Sequence, residues 1–74
     1  MNYNLDTDEG MANAVQWTTD IFAKLQNNGV WIVPRSGTMV HVNHKDKIAT
    51  IHVGAVQDTS IIRVIKAMGW TVKE

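Results

Sequence analysis

The chain has no cysteine, a single proline, and no uninterrupted apolar run longer than the four residues Val30 to Val33. Without cysteine there is no disulfide framework, thiolate zinc site, iron–sulfur cluster or thiol nucleophile. Apolar runs this short exclude a membrane-spanning helix and the apolar core of a secretory signal. Phosphate-binding loops, G-x-S-x-G, H-E-x-x-H and zinc-finger spacings are absent too, so no cofactor is expected. The composition is 45% hydrophobic and 19% charged, which is globular rather than disordered usage. Its 74 residues suffice for one domain with a small core. Beginning at Met1, the chain is read as a small complete protein of the cytoplasm.

The net charge is zero, but its halves differ. Residues 1–20 carry Asp6, Asp8, Glu9 and Asp20 with no basic residue, whereas residues 21–74 carry seven basic residues against Asp46, Asp58 and Glu74. An acidic leader therefore precedes a mildly basic body. A strong duplex binder is more basic than this.

Residues 1–10 are polar and acidic and are read as a flexible leader, with a single domain over 11–74. Met11, Ala14, Val15, Thr18, Ile21, Phe22 and Leu25 recur at helical spacing and make one apolar stripe. Asn13 with Gln16, or Thr18 before Asp20, would cap its start, and Asn27-Asn28-Gly29 is a left-handed stop signal. Val30 to Val33 reads as a strand ended by Pro34, and Arg35 to Thr38 as a turn. Met39 to Asn43 and Ile48 to Val53 alternate as strands around a polar hairpin loop, His44 to Lys47. Asp58, Thr59 and Ser60 offer caps for a second helix with the stripe Ile61, Ile62, Val64, Ile65 and Met68, closed by Gly69. Trp70 to Val72 is either a short last strand or a packed tail. The expected fold is α+β, in the order αβββα, with a three-stranded antiparallel sheet and two helices on one of its faces.

The residues from Thr18 to Trp70 resemble HicA-type mRNA interferase toxins, which share the fold of double-stranded-RNA-binding domains. The likeness rests on the helix ending in Asn28-Gly29, the strand leading to the turn Gly37-Thr38-Met39, the hairpin after it, and the helix from Ser60 to Gly69-Trp70. In the toxins the turn reads Gly-Ser-His or Gly-Thr-His, and its histidine is catalytic. Here Met39 stands in that place, and a thioether exchanges no protons. Val53-Gly54-Ala55-Val56 stands where the toxins usually carry a Pro-x-His-like stretch. The resemblance thus implies a non-catalytic relative, such as a phage-encoded or toxin–antitoxin-related regulator or inhibitor.

Strand alternation collects Met39, His41, Thr50 and His52 on the face that the helices leave open. His41 and His52 could supply an acid and a base for RNA cleavage, the alternative to a binding role. They could equally supply two metal ligands, but no Asp or Glu completes the set, and no metal site is expected. If Val30 and Ile32 point to the core, Trp31 joins the open face beside Arg35 and His41; a strand apolar on both sides places it in the core just as well. Trp31, Arg35, Met39, His41 and His52 make the expected binding patch, with Arg63 and Lys66 on the second helix as a further basic pair. The expected ligand is a host or cognate protein ahead of RNA, and self-association through the same face is a further use of it.

Overall fold

Thr7 starts the first helix. In the computed structural model, which describes residues 3–34, 36–52 and 59–73, its side-chain oxygen accepts the Gly10 N–H at 3.0 Å and caps α1, Asp8–Lys24. Asp8 and Glu9 lie in the first turn and Lys24 in the last, each on the favourable end of the helix dipole. Both starts expected from the sequence therefore fall inside the helix, and residues 8–10 of the expected leader form its first turn. Gly10 is needed where it stands, because a Cβ there would collide with the Asn4 carbonyl. The helix buries Ala14, Thr18 and Phe22. It stops at Leu25, whose N–H donates to the Phe22 carbonyl at 3.0 Å, and left-handed Asn28 (φ 66°) turns the chain into the sheet.

Strands β1 (Gly29–Ile32), β2 (Met39–Asn43) and β3 (Ile48–His52) form an antiparallel meander, followed by α2 (Thr59–Ala67) and β4 (Thr71–Lys73). The sheet order is β1-β2-β3-β4, and β4 runs parallel to β3. The sheet is thus four-stranded and mixed, a correction to the three antiparallel strands expected. The fourth strand exists because α2 carries the chain back along the sheet, as a parallel neighbour requires. Gly69 (φ 87°) then ends α2 in a Schellman motif, with Gly69 N–H donating to the Lys66 carbonyl at 3.0 Å and Trp70 N–H to that of Ile65 at 3.4 Å. Thr71 N–H enters the sheet at once, donating to the Lys47 carbonyl at 2.9 Å.

Phe22 of α1 and Ile61, Ile62 and Ile65 of α2 meet Val33, Val40, Val42, Ala49 and Ile51 in one core. Both helices therefore cover the same face of the sheet. Val40, Val42 and Ala49 are wholly buried there, so alternation turns their strand neighbours outward.

Candidate binding face

The register decides which side chains share the uncovered face. Val30 pairs with His41 and Ile32 with Met39; Met39 pairs in turn with His52, His41 with Thr50, and Asn43 with Ile48. Thr71 and Lys73 of β4 lie beside Ile48 and Thr50. Three apolar side chains on this face are exposed: Ile32 at 58%, Val30 at 45% and Met39 at 42%. They are contiguous, since Ile32 sits opposite Met39 and Val30 is two residues along the same strand. None of these ten side chains is acidic, and Lys73 is the one lysine among them.

Met39, His41 and His52 stand together on this face. Trp31 does not: it points the other way, between the sheet and α1, with its ring centroid 5.6 Å from that of Trp17 and 6.0 Å from that of Phe22, both edge-on. Polarity cannot set the facing of a strand that is apolar on both sides. The indole has the most area to bury and finds aromatic partners only on α1, so it takes the inner side, and Val30 and Ile32 are left outside. Arg35 lies outside the described residues. Arg63 and Lys66 are exposed on α2, in the helix layer rather than on the open sheet face. The Arg63 guanidinium reaches the approach to α1, 3.7 Å from an Asp6 carboxylate oxygen and 3.5 Å from the Leu5 carbonyl. The expected patch is therefore split: three of its members share the open face, and Val30 and Ile32 complete the surface there.

His44 has a role that its loop position did not announce. Its Nε2 lies 3.0 Å from the Leu25 carbonyl, its backbone N–H donates to Asn27 Oδ1 at 2.8 Å, and its ring meets Trp70 edge-on at 5.7 Å. It pins the β2–β3 turn to the end of α1. The turn is also held from within, where Asn43 Nδ2 donates to Asp46 at 3.2 Å and Asp46 N–H donates back to Asn43 at 3.1 Å. The one sequence signal for the anchor was the Asn27-Asn28 pair, which reads equally as a helix stop.

Thr19, Phe22, Ala23, His44, Met68 and Trp70 line a shallow groove of about 220 Å³ on the helix side. It is smaller than the roughly 300–1,000 Å³ typical of small-molecule sites. Among the described residues, no three His, Cys, Asp or Glu side chains gather to hold a metal ion, and no helix is long and apolar enough to cross a membrane. Compared with protein-family models, curated proteins and solved structures, the chain matches none.

Proposed function

We propose that this is a small non-catalytic binding protein, related to the HicA and double-stranded-RNA-binding folds, whose open sheet face docks an apolar surface of a protein partner. A regulator or inhibitor of phage or toxin–antitoxin type, working in the cytoplasm, fits this reading. The observation that carries it is the contiguous exposure of Val30, Ile32 and Met39 on a face whose ten described side chains include no carboxylate. Fully burying an exposed isoleucine is worth about 1.5–3 kcal/mol, of which Ile32, 58% exposed, has somewhat over half to gain, and methionine adapts readily to an irregular partner surface. The inward turn of Trp31 also bears on the choice of ligand. It removes the large aromatic platform on which RNA bases would stack, and Lys73, the one lysine among the described side chains of this face, offers little to a phosphate backbone.

The test is capture of partners by the purified chain and by Ile32→Asp, with and without nuclease. The expected result is a protein partner that survives nuclease and moderate salt, and whose affinity falls at least ten-fold, about 1.4 kcal/mol, in the variant. Captured material that disappears with nuclease and weakens steeply with salt would favour RNA instead. The alternative of a divergent RNase rests on His41 and His52 sharing one face. Cleavage of RNA by the unaltered chain, lost in His41→Ala or His52→Ala, would establish it.

A further inference from the structure

Two imidazoles and a thioether occupy adjoining positions on the two central strands. Met39 is directly opposite His52, and His41 is two residues from Met39 on the same face, diagonal to His52. Directly opposed Cβ atoms lie about 4.5–5.5 Å apart, and diagonal neighbours at about 7–8 Å remain within reach of long side chains. All three side chains are at least partly open to solvent, and among the described residues neither imidazole has a hydrogen-bond partner. His44 differs, since one of its ring nitrogens is committed to the Leu25 carbonyl.

The donor set discriminates between metals. Hard cations such as calcium and magnesium need carboxylate or carbonyl oxygens, and none of the ten side chains placed on this face is a carboxylate. Two imidazoles alone would serve zinc, nickel or Cu(II), but a thioether is a soft ligand that selects monovalent copper and its heavier congener. Ile32, opposite Met39 in the register, is an apolar neighbour of the thioether on the same face. Strands flanked on both sides by other strands hold ligand positions more firmly than loops do. We propose that Met39, His41 and His52 form a binding site for one soft monovalent metal ion, Cu(I) or Ag(I). The ion sits over the β2–β3 pair with Nitrogen, nitrogen and sulfur ligation and one side open to solvent. Binding requires both imidazoles neutral, and any proton they carry is released. The site shares Met39 with the proposed docking face, and Val30→Asp, which alters no metal ligand, tests docking separately.

The experiment titrates the full chain with silver nitrate in chloride-free buffer, and with Cu(I) under anaerobic reducing conditions. Methyl signals of methionine and ring signals of histidine are followed by NMR. The expected result is saturation at one equivalent, with the Met39 methyl and the His41 and His52 rings shifting together. Met39→Leu, a conservative change at an exposed site, should weaken silver binding at least ten-fold while leaving zinc binding unchanged. His44→Ala and Met68→Leu should bind silver as the unaltered chain does. Undiminished silver affinity in Met39→Leu overturns the proposal. So do shifts spread evenly over Met11, Met39 and Met68, or displacement of silver by an equal concentration of zinc.

Discussion

The Thr18 hydroxyl is wholly buried and, among the described residues, has no hydrogen-bond partner. A buried hydroxyl without a partner loses its water and gains nothing in return, at a cost of about 1–3 kcal/mol. Thr18→Val keeps the branched shape and removes that cost. The expected outcome is a gain of about 1 kcal/mol, read as a higher denaturant midpoint at unchanged slope and a melting temperature raised by about 4–8 °C. A lower midpoint would mean that the hydroxyl is satisfied in solution. Thr18 also shows how far single residues were legible. Its helical spacing placed it on the apolar stripe, where it lies, but a threonine that packs and one that caps share the same sequence context. Trp31 was ambiguous for a different reason: alternation predicts facing only where one side of a strand is polar. The three histidines looked alike in sequence, yet among the described residues His44 alone is tied to a distant carbonyl, a contact between residues 19 apart that no local pattern reports.

At the scale of elements, α2 was the most legible part. Its stripe repeats at helical spacing, and its stop is a glycine in the left-handed conformation that the Schellman motif needs. The Gly69 position is open enough that an added Cβ meets no atom within 4 Å, so the cost of a side chain there is conformational and not steric. Gly69→Ala should therefore destabilise by about 1–2 kcal/mol. The same change should speed hydrogen exchange at the Thr71 amide, because the motif aims that N–H at Lys47. If exchange at Thr71 is unaltered while global stability falls, β4 docks without help from the helix end. β4 itself was only half legible. Three residues are too few to display alternation, and a parallel partner leaves no hairpin turn in the sequence. The start of α1 was obscured because acidic residues that favour a first turn also compose a solvated tail.

For the whole molecule, two apolar stripes and one alternating meander were enough to predict that both helices cover one face of the sheet. They could not show which residues the other face would present, since that followed from the inward turn of Trp31. A chain of this length holds together by about 4–11 kcal/mol, so its parts must support one another. The aromatic rings are one means. Tyr3, Trp17, Trp31, Phe22, Trp70 and His44 follow one another at centroid separations of 5.1–6.5 Å, the Tyr3–Trp17 pair tilted and the others edge to face. This run joins the approach to α1, the helix, the edge strand, the segment after α2 and the hairpin turn. Every indole of the protein is in it, so all three report on the same array of rings. On denaturation, the red shift of indole emission should coincide with the loss of far-ultraviolet circular dichroism, at one midpoint and in one step. An emission change that precedes the dichroism would show that the ring array comes apart while the helices persist. Fluorescence of this protein is therefore a reading of its tertiary assembly as a unit, with no tryptophan left over to watch any single part by itself.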